Sequence, residues 1–256
     1  MMLRLTKHAI YDILRNRFVL FYALFLLVIT FSLFSLDSDP GKAVLSLLNI
    51  VLMVVPLVSI IFTTIYFFNS YEFIELLLSQ PIDRKVIFFS EFLAICLALS
   101  AAYGVGVGIP VLLLGGDIGA VYLLAAGLML TWVFVALAFA ASVSTRDKAK
   151  GIGVALLFWF YFSLIYDGFM LYIIYSFSDY PMEKITLALI SLNPVDLARM
   201  VILLKLDISA LMGYTGAFLK QFFGTSLGIV YSLGLLLTWV LIPMLYALRR
   251  FLRKDV

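Results

Sequence analysis

Long apolar runs are the feature that most constrains this chain. Six stretches of about 20 residues or more carry few charges, and about 20 helical residues are needed to cross the hydrocarbon core of a bilayer. Since that core offers no water to backbone groups, each run is predicted to be a helix. Hydrophobic residues make up 64% of the 256 residues and charged residues only 13%. The sequence therefore predicts an all-α integral membrane protein with six transmembrane helices in one domain, residues 1–256. The spans are predicted at about 18–36, 44–68, 86–114, 118–143, 151–177 and 226–248.

An amphipathic segment precedes the first span. Within residues 3–17, Ile10, Ile13 and Leu14 share one helical face, while most charged side chains fall on another. This pattern predicts a helix lying in the interface between lipid and water. A plain basic anchor ahead of the first span is the other interpretation.

The stretch from Tyr71 to Leu93 lies between two long apolar runs and carries six charged side chains. Residues 70–80 suit a short amphipathic helix, which Pro81 should end, because proline disfavours helical geometry in the residue before it and donates no backbone N–H. Two interpretations stay open at this point: a helix that docks a soluble partner, or a solvated loop between spans.

The longest connection, residues 178–225, is too mixed for one span and too apolar for a free loop. It is predicted to form short helices lying on the membrane surface. Asn193-Pro194-Val195-Asp196 is a helix start signal, since Asn caps a helix, Pro suits its first position and Asp its positive end. This helix should run to about Leu206.

The distribution of positive charge predicts the orientation. Residues 1–17, 69–85, 144–150 and 249–256 lie on one side of the six-span arrangement and hold 13 of the 18 Lys and Arg residues. Positive residues accumulate on the cytoplasmic side. Both termini are therefore predicted to lie in the cytoplasm, with the protein in the inner membrane.

Patterns for catalysis and for metal binding are missing from the sequence. The single His8 and single Cys96 lie on different segments, which leaves no disulfide, Cys/His pair or zinc helix. No GxxxxGK[ST] loop exists, so the chain is not expected to hydrolyse ATP, to act as an enzyme or to bind a metal.

Three alternating glycines, Gly104, Gly106 and Gly108, lie inside the third apolar run. A dinucleotide-binding loop would need a strand before it and a helix after it. The pattern instead predicts close helix packing or a break in the helix.

Asp167 is the only acid placed within a span by this reasoning. It lies 16 residues beyond Gly151, about 24 Å along a helix, and so in the outer part of the bilayer. An ionisable residue there is a candidate proton site, cation ligand or partner of a basic side chain. The alternative is that it marks the outer end of the span and reaches water.

The loop after the second span carries residues found in a known class of membrane protein. It reads Glu-x-x-Glu-Leu-Leu-Leu-Ser-Gln-Pro-Ile-x-Arg from Glu72 to Arg84. With the interfacial helix, six spans and no ATPase motif, it resembles permease subunits of ABC-2 type transporters, which are type V ABC exporter-like. The resemblance implies that this loop is a cytoplasmic coupling helix docked on a separate ATPase subunit. The matching positions are Glu72, Glu75, Leu76, Leu77, Ser79, Gln80, Pro81 and Arg84.

Three further blocks are more specific: residues 142–160, the pair Tyr166-Asp167 and residues 192–199. They look like the NosY-type permeases of nitrous-oxide reductase maturation. That resemblance implies a dimer bound to two copies of an ABC ATPase (NosF-like), which would hold ATP and Mg²⁺, and to a periplasmic copper-binding protein (NosD-like). This chain would bind no cofactor and no nucleic acid. Candidates for a transport route or an outer partner contact are Tyr166, Asp167, Asn193, Pro194, Asp196 and Arg199.

Two other functions fit the same residues. One is an ABC-2 exporter permease for another cargo, such as a peptide, a lipid or a drug. The other is a mechanotransmission subunit that moves no solute and passes ATP-driven motion to a protein on the far side of the membrane.

Overall fold

The computed structural model describes residues 2–36, 39–115, 118–177, 183–205 and 226–253. Within these ranges nearly every residue is helical and there is no strand. Residues 178–182 and 206–225 of the predicted outer segment, 178–225, lie outside these ranges. The helices are α1 Met2–Leu14, α2 Arg17–Leu36, α3 Pro40–Asn69, α4 Tyr71–Leu78, α5 Arg84–Tyr103, α6 Ile118–Ser144, α7 Lys148–Phe160, α8 Tyr166–Ser176, α9 Glu183–Ser191, α10 Pro194–Lys205 and α11 Ser226–Arg253.

Six helical segments among the described residues are long and apolar enough to cross a bilayer, which confirms the predicted all-α, six-helix architecture. Several begin earlier than the apolar runs do. Asp39, Asp83 and Asp147 each accept a backbone N–H at the start of a helix, so the helix includes the polar residues that follow the cap. The six segments are Arg17–Leu36, Gly41–Asn69, Arg84–Leu114, Gly119–Ser144, Lys148–Ser176 and Gly228–Arg253.

Helix α6 lies at the centre of the bundle. It packs against α3, α5, α7, α10 and α11, and its side chains Leu130, Phe134 and Phe139 are fully buried. The Phe139 ring meets the rings of Phe88 and Phe92 on α5 edge-on, with centroids 5.4 Å apart in both pairs. Interlocked aromatic packing of this kind fixes α5 against the central helix.

Helix α1 and the C-terminal end of α11 lie at the same end of the bundle as α4. Helix α1 packs along α5, with Ile13 fully buried. The Phe88 ring near the start of α5 lies 5.6 Å from that of Phe251, near the end of α11. Arg84 donates a hydrogen bond to the Leu252 carbonyl oxygen at 3.5 Å. This end is called the α4 end below, and the opposite end the α9 end.

One of the three alternating glycines, Gly106, lies at a close helix contact of the predicted kind. Helix α5 continues as π-helical turns over Gly104–Gly108 and Val111–Gly115. A Cβ atom placed on Gly106 would come within 2.7 Å of the Leu26 Cβ and 2.9 Å of the Ala23 carbonyl oxygen. Only glycine therefore fits where this span crosses α2.

Helices α9 and α10 form a sharply bent pair, with an angle of 114° between residues 185–191 and 194–203. The sequence predicts that both lie on the membrane surface, and the structure adds that α10 packs into the bundle. Its side chains Leu197, Ala198 and Ile202 are fully buried, and the helix packs against α3, α6 and α11. The bend turns α10 into the bundle, so its apolar residues meet protein.

Candidate functional sites at the two ends of the bundle

Helix α4 is a single short segment held close to the end of α3. Only Ser70 separates the two helices, and its N–H bonds to the Tyr66 carbonyl oxygen at 2.9 Å. At the other end the Ser79 N–H bonds to the Glu75 carbonyl oxygen at 3.1 Å, and Pro81 follows. The chain therefore leaves α3 and re-enters as α5 through a compact, hydrogen-bonded turn.

The two faces of α4 differ sharply. Ile74 is 2% exposed and Leu77 8% exposed, whereas Phe73 is 52% and Leu76 65% exposed. Glu72 and Glu75 lie on the exposed side. A helix of this kind is fixed by one face and offers acidic and apolar groups on the other.

The inner face of α4 rests on the ends of three spans. Ile74 and Leu78 lie with Phe67 of α3, Val143 of α6 and Phe251 of α11 around a pocket of about 10 Å³, room for about one water molecule. Burial and the neighbouring Glu75 carboxylate raise the pKa of the Tyr71 phenol above its usual value. Helix α4 thus borders the ends of three membrane helices around this pocket, and it packs directly against α3 and α5.

The structure divides the eight loop residues that the resemblance singled out. Six are exposed: Glu72, Glu75, Leu76, Ser79, Gln80 and Pro81. The other two face the protein, since Leu77 is buried and Arg84 is half-buried against the end of α11. Phe73 was missed by sequence reasoning, although a large aromatic side chain beside two acids on a short helix is a recognisable contact signal.

A second loop at the α4 end, between α6 and α7, is joined to the first. The Lys148 Nζ donates to the Asn69 Oδ1 at 2.8 Å. Asp147 caps α7 by accepting the N–H groups of Ala149 and Lys150 at 2.7 and 3.1 Å. The start of the fifth span is therefore bonded to the end of α3, immediately before α4.

Toward the α9 end, an ion-pair cluster joins the fifth span to α10. The Arg199 guanidinium lies 3.0 Å from an Asp167 oxygen and 3.1 Å from an Asp196 oxygen. Asp196 is only 4% exposed, while the Asp167 and Arg199 side chains are each 30% exposed. One guanidinium thus bridges two carboxylates, one of them desolvated.

Asn193 connects the same cluster to the backbone of the fifth span. Its Nδ2 donates to the Asp196 Oδ2 at 2.8 Å and to the Phe162 carbonyl oxygen at 2.9 Å. Its Oδ1 accepts the Val195 N–H at 3.0 Å, the cap interaction expected from the sequence. The Phe162 carbonyl lies in a π-helical stretch, Tyr161–Ile165, and such stretches occur often at functional sites.

Four of the six outer candidates form this cluster: Asp167, Asn193, Asp196 and Arg199. Tyr166 precedes Asp167 in the chain, and its hydroxyl donates to the Leu189 carbonyl oxygen of α9 at 2.7 Å. Four of the six side chains are buried: Tyr166, Asn193, Pro194 and Asp196. Only Asp167 and Arg199 reach the surface, so the cluster has a small outward face and a larger internal one.

A second acid lies inside a candidate span, and the expectation that Asp167 is the only one is wrong. Glu91 on α5 is 7% exposed, and its Oε2 has no hydrogen-bond partner among the described residues. Sequence reasoning grouped it with the charged loop, because it closes the stretch from Tyr71 to Leu93. Its position two turns into α5 buries it.

Among the described residues, no group of three or more His, Cys, Asp or Glu side chains is placed to hold a metal ion. Asp167 and Asp196 supply two carboxylates, and Arg199 already occupies the space between them. The chemistry available at the α9 end is therefore charge pairing, and that at the α4 end is surface contact.

Comparison with known proteins places the chain in a family. The profile of the family described as "ABC-2 family transporter protein" matches residues 3–256, almost the full length. A search of curated proteins finds no match. Since the family profile covers both ends of the bundle and all six spanning helices, this chain belongs to the ABC-2 family of transporter proteins, as a membrane permease subunit of an ABC transporter.

Proposed function

We propose that α4 is the coupling helix through which this permease subunit receives motion from its ABC ATPase. The observation that carries the proposal is the contrast between the two faces of α4: Ile74 and Leu77 are buried, and Phe73 and Leu76 are exposed beside two carboxylates. A helix with one face packed on the membrane helices and the other exposed is suited to pass a movement of the ATPase to the membrane helices.

Mechanical transmission requires a stiff connection. When the ATPase pair closes on ATP, it can do work on the membrane subunit only through an element that moves as a unit. The packing of α4 against α3 and α5 would pass such a push to the second and third spans. Glu72 and Glu75 would set the register by pairing with basic groups of the ATPase, which gives specificity more than affinity.

The α4 end is proposed to face the cytoplasm, with the protein in the inner membrane. It holds α1, the C-terminal end of α11 and the two loops that are joined by the hydrogen bond from Lys148 to Asn69. Most of the Lys and Arg residues flank the spans on this side, which supports a cytoplasmic location.

The finer proposal is a NosY-type permease for copper-sulfur centre maturation of nitrous-oxide reductase. It would act as a dimer with two NosF-like ATPases and a periplasmic NosD-like copper-binding protein. Support comes from the three sequence blocks, two of which supply the cluster of Asp167, Asn193, Asp196 and Arg199. An exporter for another cargo remains the alternative within the same family.

A mechanotransmission subunit that moves no solute is the second candidate function. It is favoured by the inward-facing charges at the α9 end, where Arg199 is shared by Asp167 and Asp196 and most of the cluster is buried. Such an arrangement can pull α10 along with the fifth span.

The coupling role is tested by Glu72→Lys/Glu75→Lys. Both residues are exposed, so the variant should insert and fold normally, but recovery of the ATPase with the purified permease should fall at least about tenfold, because charges that set register become repulsive. The control is Asp12→Lys, which reverses an exposed charge on α1 at the same end. Unchanged ATPase recovery and unchanged function would contradict the coupling assignment.

The partners themselves distinguish the finer proposals. The permease is purified in mild detergent from its own host, and the accompanying proteins are identified by mass spectrometry. An ATPase with a periplasmic copper-binding protein supports the maturation complex. An ATPase alone supports a general exporter.

A further inference from the structure

An open groove at the α4 end is lined by four arginines. One comes from the loop between α6 and α7, and three come from the last two turns of α11; the groove has a volume of about 590 Å³. Its lining residues are Val143, Ser144, Arg146, Tyr246, Arg249, Arg250 and Arg253.

The four guanidinium groups have no carboxylate partner in the part of the chain that the structure describes. Both ion pairs found there, within 4.0 Å, belong to Arg199. Arg146, Arg249, Arg250 and Arg253 are instead partly or largely exposed to solvent around the same groove. Like charges gathered without counter-ions repel one another, and a bound anion relieves that repulsion. Arginine binds phosphate oxygens through paired N–H donors, so phosphate is the anion that this lining fits.

The wall of the groove is built from two helices held together. The Ser144 Oγ donates to the Tyr246 Oη at 3.3 Å, which links the end of α6 to α11 between Arg146 and the α11 arginines. Positive residues that only mark the cytoplasmic end of a span do not have to gather around one groove with an arginine from a second helix. The arrangement is that of a pocket between transmembrane helices.

An exposed apolar strip leads from the groove toward the middle of the bilayer. On α11, Ile242 is 68% and Tyr246 49% exposed, and Arg250 follows at the same four-residue spacing, so the three lie in one row. The distance from Ile242 to Arg250 is about 12 Å along the helix axis. Apolar groups at acyl-chain depth thus lead to guanidinium groups at headgroup depth.

We propose that this groove binds the phosphate of an anionic membrane phospholipid, with an acyl chain lying along Ile242 and Tyr246. Basic pockets between transmembrane helices on the cytoplasmic side are suited to anionic headgroups. The inference uses the proposed orientation of the α4 end but not the coupling role of α4. Unchanged ATPase recovery in the Glu72/Glu75 variant, which would contradict the coupling role, would leave the lipid-binding inference unaffected.

The test measures lipid binding to the purified full-length chain in a non-ionic detergent. Native mass spectrometry follows retention of phosphatidylglycerol and of phosphatidylcholine with the same acyl chains. The variant Arg249→Gln/Arg250→Gln removes two groove charges. The matched control Lys85→Gln/Lys150→Gln removes two exposed charges from the same end. All four residues are exposed, so both variants are expected to fold.

The wild-type chain should retain phosphatidylglycerol in preference to phosphatidylcholine. The arginine variant should bind phosphatidylglycerol about 30-fold more weakly, the lysine control should stay within about twofold of wild type, and millimolar inorganic phosphate should not displace the lipid. Equal losses in the two variants would overturn the proposal, because general charge would then explain the binding. Equal retention of phosphatidylcholine would overturn it, and so would full displacement by inorganic phosphate, which would identify a site for a soluble anion.

Discussion

The α4 end and the α9 end of this permease use charge in opposite ways. At the α4 end, apolar side chains hold the helix, and the acidic residues Glu72 and Glu75 are exposed. At the α9 end, the carboxylates of Asp167 and Asp196 turn toward Arg199, and much of the cluster is buried. The difference indicates that one end is built to meet another molecule, while the other is built to hold two of its own segments together.

The largest expected effect is at the α9 end. Arg199→Met should lower the free energy of unfolding by about 3 kcal/mol, because it leaves two carboxylates without their cation, one of them buried. Adding Asp167→Asn should recover part of the loss, since one uncompensated charge is removed. Thermal unfolding in detergent measures both.

Lys150→Met is the control for that change, because Lys150 is exposed and lies near the start of the fifth span, 17 residues before Asp167. Equal unfolding temperatures for the Lys150 and Arg199 variants would contradict the proposal that charges stabilise the fold at the α9 end and not at the α4 end.

A smaller effect is expected from the apolar clamp of α4. Leu77→Ala should cost about 2 kcal/mol, since it removes a buried side chain and leaves a cavity. The neighbouring Leu76→Ala makes the same chemical change at a side chain that is 65% exposed and should cost less than about 0.5 kcal/mol. Hydrogen exchange of the α4 amides measures the local loss of protection. Similar exchange in the two variants would show that α4 is not clamped.

The smallest effect on the permease itself is expected at Phe73. Phe73→Ala should leave unfolding unchanged, because the ring is 52% exposed. It should weaken the ATPase complex about tenfold, as expected for an aromatic anchor at the centre of an interface. Titration of the purified ATPase against wild-type and variant permease in nanodiscs gives both affinities, and equal affinities would leave Phe73 outside the interface.

Local signals in the sequence predicted much of this fold. Apolar runs long enough to span a bilayer gave the six membrane helices, and Pro81 marked the end of α4. Asn193 and Pro194 marked the start of α10, where the expected cap bond is present. Each of these features is determined by residues that are close in the sequence, so a short stretch of sequence is enough to predict it.

Features that depend on distant residues were not predictable in the same way. Asp167 and Arg199 are separated by 32 positions, and nothing in either neighbourhood specifies the other. The insertion of α10 into the bundle depends on the bend before Pro194 and on the surface of α6. Glu91 was overlooked for a related reason, since its burial depends on how α5 packs and its sequence neighbours are charged.

The π-helical stretch at Tyr161–Ile165 has a geometric consequence for the fifth span. Accommodating one extra residue in a helix with 3.6 residues per turn shifts the phase of everything beyond it by about 100°. Without that shift, the Asp167 side chain would leave the helix axis in a direction more than a quarter of a turn away from the present one. Its carboxylate would then not reach Arg199. The rotational setting of half a membrane helix is thus fixed by one widened turn.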